Sequence, residues 1–127
     1  WTHLNEKDAL FYIKEVNRVL KPGGKAIITF FLLDELYQKS LNMRSRETGK
    51  YHMTSSERWI FDQPAYGSKE WFCPKWVKVP ERAIGVTKAG FNRLIFQAEL
   101  QFIKHYQGNW KEVPGIFFQD IVVLKKV

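Results

Sequence analysis

The side chains able to do acid-base, nucleophilic or metal chemistry are few and dispersed. His3, His52 and His105 are the only histidines and Cys73 the only cysteine. None stands at the close spacing of a metal site, so no metal is expected. A histidine suits proton transfer near neutrality because its unperturbed pKa is about 6.5. His3, in the segment Thr2-His3-Leu4 ahead of a predicted helix, is the candidate catalytic residue, a general base for a substrate hydroxyl. A loop histidine bonding the start of that helix is the plainer reading. Cys73 has no base beside it in sequence and reads as a buried or incidental thiol. Aromatic side chains are the other conspicuous resource, with five Trp, five Tyr and ten Phe. Phe30 and Phe31 end a predicted strand and alternate in direction, which suits either one lining the ligand side with the other in the core, or core packing for both. The stretch from Tyr51 to Trp76 is dense in rings, which suits either a lid over substrate or packing against the end of a sheet.

A chain of 127 residues fits one domain, and 45% apolar residues suffice for a core. The net charge of +7 is spread over short clusters, Lys21 to Lys25, Arg44 to Lys50 and Lys125-Lys126. That pattern suits a solvated surface better than a nucleic-acid interface. A single cysteine allows no internal disulfide and fits a cytoplasmic protein. No apolar run approaches the ~20 residues of a membrane span, so no membrane partner is expected. The first residue is Trp rather than Met, which reads as a processed product or a fragment.

These residues must be positioned by an α/β framework. Asn5 reads as an N-cap, followed by a helix over 5–20 with Leu10, Ile13, Val16 and Leu20 on one face. Lys21-Pro22-Gly23-Gly24 ends it, proline because it cannot continue a helix and glycine because it allows positive φ. Lys25 to Phe31 reads as a strand buried on both faces. Leu33 to Leu41 reads as a short helix. Residues 42–84 read as an irregular lid or insert, with short strands possible at 58–62 and 76–79. Thr87 reads as an N-cap for a helix over 87–98. Strands follow over 100–105 and 118–124.

Helix, Gly turn and strand carry a resemblance. Thr2-His3-Leu4, the helix, the phrase Asn17-Arg-Val-Leu-Lys-Pro-Gly-Gly-Lys25, and then Ile27-Ile28-Thr29-Phe30-Phe31 resemble the second half of a class I (Rossmann-like) S-adenosylmethionine-dependent methyltransferase domain. Tyr106 to Trp110 with Phe118-Gln119-Asp120-Ile121-Val122-Val123 resembles its closing hairpin. The resemblance implies a partial sheet made of the family's fifth to seventh strands, with the last antiparallel to its neighbours. Helix 5–20 would pack on one face and helix 87–98 on the other. It implies S-adenosylmethionine as cofactor in the complete protein and a small molecule as methyl acceptor. Thr2, His3 and Leu4 would follow the fourth strand and touch cofactor. Phe30, Phe31 and Trp110 would line the substrate pocket.

The family's glycine-rich loop follows its first strand, whereas Gly23-Gly24 follows a helix and precedes a strand, the reverse of the order that cradles a cofactor. The first four strands have no counterpart here. The chain is therefore expected to be inactive without an N-terminal half, and to self-associate or to retain that half. The alternatives are a basic, aromatic-rich nucleic-acid-binding module, which would set Trp59, Trp71 and Trp76 beside cations on one face, and a non-catalytic methyltransferase-like subunit.

Overall fold

A computed structural model describes residues 1–127, Trp1 to Val127. Helix α1 spans Glu6–Val19. Asn5 starts it, its Oδ1 accepting from the Asp8 backbone N–H at 2.9 Å, and Glu6 and Asp8 complement the helix dipole in the first turn. The chain reverses at Gly23, where φ is +80°. This turn is stitched to the end of the chain: Gly23 N donates to Lys126 O and Lys126 N to Gly24 O. Strand β1 (Lys25–Phe30) follows, then β2 (Leu32–Leu33). Asp34 caps α2 (Glu35–Ser40), accepting from Tyr37 N at 3.0 Å. Strands β3 (Gln63–Pro64), β4 (Trp71–Cys73) and β5 (Gly85–Thr87) lead to α3 (Lys88–Gln97), which Thr87 caps through Gly90 N. Strands β6 (Leu100–Tyr106) and β7 (Asp120–Lys126) close the chain.

The architecture is α/β with two sheets. One has the order β1-β7-β6, and the other β2-β5-β4-β3. In the first, β7 lies in the centre and runs antiparallel to both neighbours. Ala26, Ile28 and Phe30 stand opposite Leu124, Val122 and Asp120. Ile28, Phe30, Val122 and Leu124 share one core with Ala9 and Ile13 of α1 and with Phe91, Leu94, Ile95 and Ala98 of α3.

Both helices therefore cover the same face of the sheet, not opposite faces as the resemblance implies. Helix α3 belongs to the crossover between the parallel strands β1 and β6, and the handedness of such crossovers fixes its side. Helix α1 is tied to that side by Asn17 Nδ2 donating to Ala98 O at 2.7 Å and by Glu6 paired to Arg93 at 2.7 Å. The other face stays open, and Ile27 is 73% exposed. So β1 is buried on one face, not on both.

The middle of the chain also departs from expectation. Residues 58–62 form no strand, because Ser56–Trp59 is a 3-10 turn, and 76–79 is turn and bend between Pro74 and Pro80. The strands that do form there are displaced: Gln63 pairs with Cys73 and Trp71 with Val86, while Leu33 joins β2 opposite Thr87 and so lies outside α2. Residues 42–84 thus contribute half of a small sheet. The last strand begins at Asp120, two residues later than the apolar pattern suggests.

At Gly23 an added Cβ would meet nothing within 4 Å, so only the backbone conformation resists substitution. Gly23→Val should lower the unfolding free energy by about 1–2 kcal/mol in urea titrations, the strain of holding an L-residue at positive φ. A variant as stable as the parent would contradict this account of the turn.

Candidate functional site

In open α/β sheets, ligands lie beyond the carboxyl ends of the strands. Here that end of β1 carries a buried carboxylate. Because β7 is antiparallel, its first residue Asp120 sits opposite Phe30, with 0% exposure. Oδ2 accepts from Leu32 N at 2.9 Å and from Trp110 Nε1 at 3.0 Å. Oδ1 accepts from Gly108 N at 2.9 Å and His105 Nε2 at 3.1 Å, and the Lys111 ammonium pairs with it as an ion 2.9 Å away. Lys111 is also fully buried, and its ammonium reaches Asp34 Oδ2 at 2.9 Å and Gln107 Oε1 at 2.6 Å as well. Two hydrogen bonds and one ion pair thus engage the ammonium. Burial pushes the Asp120 carboxyl up, but the His105 bond, the Lys111 charge and the Leu32 and Gly108 N–H groups outweigh it and hold the pKa below the ordinary Asp value. Gly108 is required by space: a Cβ there would lie 2.4 Å from Phe118 O.

Around this carboxylate stands an aromatic cluster. Phe31 packs against Phe61, Trp110, Trp59 and Phe118, with ring centroids 4.9, 5.1, 5.4 and 6.0 Å away. Arg44, its side chain fully buried, lies over the Trp110 ring and donates to Trp110 O at 2.7 Å and to Ser40 Oγ at 2.9 Å. Burial pulls the Arg44 guanidinium below its usual pKa, against the opposing charge of Glu112.

Beyond the cluster opens a groove of about 750 Å³ lined by Thr54, Arg58, Trp59, Asp62, Lys75 and Trp76, among others. Trp59 and Trp76 meet edge to face at 5.9 Å, and the Arg58 guanidinium sits 3.7 Å from the Trp76 ring. Trp59 Nε1 donates to Thr54 Oγ1 at 2.7 Å. His52 Nδ1 lies 2.8 Å from the same hydroxyl, and its Nε2 lies 2.6 Å from Glu112 Oε1. Glu112 also accepts from Lys50 N at 2.6 Å.

The residues singled out from sequence fall in three places. Thr2 is buried and its carbonyl accepts from Ile84 N, while Leu4 is half-buried. His3 is exposed, with Nδ1 2.9 Å from Glu81 O. Phe30 turns into the core between the sheet and α3, where it meets Phe91 edge to face. Phe31 and Trp110 come together in the aromatic cluster, both buried. Of the three tryptophans named for a nucleic-acid face, Trp59 and Trp76 meet beside Arg58, while Trp71 lies in the other core. Sequence reasoning missed Asp120, Lys111, Arg44 and Glu112 as partners. Asp120 left one usable signal, a lone acid heading the apolar run Ile121 to Leu124.

No three His, Cys, Asp or Glu side chains gather as metal ligands would. Nor do the paired glycines fit S-adenosylmethionine, because Gly23 N is engaged by Lys126 O and Gly24 N by Lys21 O. No helix is long and apolar enough to cross a membrane.

Asp120 titrates lower in the folded chain than in the unfolded one. Its stabilisation is therefore present above the ordinary value of about 4 and is lost as pH falls through the lowered folded value. Asp120→Ala should cost about 3–5 kcal/mol at neutral pH by leaving Lys111 partly unpaired. Its stability should also fall less steeply below pH ~4 than the parent's, in denaturation curves run across acid pH. Parallel acid limbs would refute the assignment.

No family model matches the sequence and no solved structure matches the fold, so the functional reading rests on the residues and their geometry.

Proposed function

We propose that this chain is the C-terminal portion of a S-adenosylmethionine-dependent methyltransferase domain acting on a small molecule. The observation that carries the reading is the sheet order β1-β7-β6 with the last strand central and antiparallel to both neighbours. It is entered from an amphipathic helix through Leu20-Lys21-Pro22-Gly23-Gly24. This is the arrangement implied for the fifth, seventh and sixth strands of that family. The Trp1 amino nitrogen donating to Thr29 O at 3.0 Å, beside the free edge of β1, is the contact a neighbouring strand would make.

Methyl transfer from a sulfonium asks the protein to align groups and exclude water rather than to supply covalent chemistry. When bound, the cofactor supplies the activated methyl group. The residues of this chain would supply the wall beyond β1: the aromatic cluster around Phe31 excludes water, and Asp120 fixes Trp110 within it. The glycine cradle and the acidic ribose partner belong to preceding residues in this reading, which leaves the chain inactive on its own.

Calorimetry tests it. The 127-residue chain should show no micromolar affinity for S-adenosylmethionine, whereas the natural polypeptide that carries it with its upstream sequence should bind. A dissociation constant near micromolar for the short chain, about −8 kcal/mol, or no binding by the longer one, would defeat the reading. The free apolar edge of β1 and the open face at Ile27 should also draw the short chain into self-association or keep a severed N-terminal half bound. Light scattering at several concentrations, with mass spectrometry of the same sample, reads this; a concentration-independent monomer counts against it.

A further inference from the structure

We propose that Thr54 is an activated nucleophile, with His52 as its general base and Glu112 as the positioning carboxylate, and that the groove beside Trp59 and Trp76 takes a carboxylic ester. This is an activity separate from methyl transfer.

The proton positions follow from the partners. Glu112 Oε1, 2.6 Å from His52 Nε2, can only accept, so Nε2 carries a proton. His52 Nδ1 faces two donors, the Thr54 hydroxyl at 2.8 Å and the Thr54 backbone N–H at 3.4 Å, so it is the bare nitrogen. Trp59 Nε1–H takes one lone pair of Thr54 Oγ1, which directs the hydroxyl proton to His52 and leaves a second lone pair. Hydroxyl, imidazole and carboxylate thus form one directed relay, the arrangement that activates a weak oxygen nucleophile. The His52 and Glu112 side chains are only 4% and 6% exposed, while Thr54 lines the groove. Base and carboxylate are shielded, and the residue that carries the hydroxyl lines the groove.

The chemistry balances with water as the only co-reactant. Thr54 Oγ1 bonds to the ester carbonyl carbon and its proton passes to His52 Nδ1. The carbon–alkoxide bond breaks, and the leaving oxygen takes that proton. Water then attacks the acyl-threonine, giving its proton to His52; the acyl–Oγ1 bond breaks, the proton returns to Oγ1, and the free acid departs. No protein acceptor takes the Ser55 backbone N–H.

The test uses p-nitrophenyl acetate on the 127-residue chain. A burst of p-nitrophenolate is expected, with the acetyl group found on Thr54 by peptide mass spectrometry of the acid-quenched protein. Thr54→Val should abolish the burst and Thr54→Ser should restore it. His52→Gln should slow acylation by about 100-fold or more, and Glu112→Gln should slow it with tryptophan fluorescence unchanged. Acetyl groups confined to lysines or Cys73, or a burst undiminished in Thr54→Val, would overturn the proposal. If the His52 or Glu112 variant unfolds, acetyl location in the parent chain and the Val-against-Ser contrast still decide it.

Discussion

A carboxylate that burial disfavours organises this molecule. Asp120 has no exposure, and a charge so placed is tolerable only when nearby donors replace the lost water. Four hydrogen-bond donors and one ammonium do so, and they come from separate parts of the chain: Leu32 at the junction of the two sheets, His105 at the end of β6, Gly108 in the following turn, Trp110 in the 3-10 turn after it, and the charge of Lys111 beside it. Lys111 extends the network to Asp34, the cap of α2. One oxygen pair thus fixes where β1 gives way to β2, where β6 turns, and how α2 starts. Buried ion networks add little net stability compared with apolar packing. What this one supplies is position, since it ties five residues from separate elements to the first residue of β7.

The division between Phe30 and Phe31 follows from that register. Adjacent residues on a strand point to opposite sides. Phe30 shares the face of Ile28 and enters the core covered by α1 and α3, while Phe31 passes to the aromatic cluster that Asp120 anchors through Trp110. The two cores therefore meet at one dipeptide. Substituting either ring disturbs one core directly and the other through the backbone they share.

Local signals were legible in the sequence. Asn5, Asp34 and Thr87 all cap helices through their side chains, and Pro22-Gly23 reverses the chain as its residue types require. Strands β1, β6 and β7 followed from apolar and β-branched runs. The second sheet was not legible, because strands of two or three residues have no period to read and Gln63, Trp71 and Val86 owe their pairing to contacts distant in sequence. The shared face of α1 and α3 was hidden for the same reason. His52 and Glu112 lie 60 residues apart, and only the hairpin at Thr48 and Ser55 brings the histidine inward. His3, more conspicuous in the sequence, lies exposed on Glu81.

The two polar networks differ in a way that separates positioning from reactivity. Around Asp120 both carboxylate oxygens and the Lys111 ammonium are engaged within the protein and both residues are fully buried, so this pair can hold geometry but offers no free valence to a substrate, while Asp34 and Gln107 at its margin line a groove of about 530 Å³. Around Glu112 the same closure holds for the carboxylate and the imidazole, but the relay ends on the hydroxyl of Thr54, a residue that lines the groove. Reactivity requires that one atom of a satisfied network be left accessible, because complete satisfaction quenches a nucleophile and complete exposure solvates it. By that criterion Thr54 is the hydroxyl suited to the proposed ester chemistry, and Asp120 is a group that holds position.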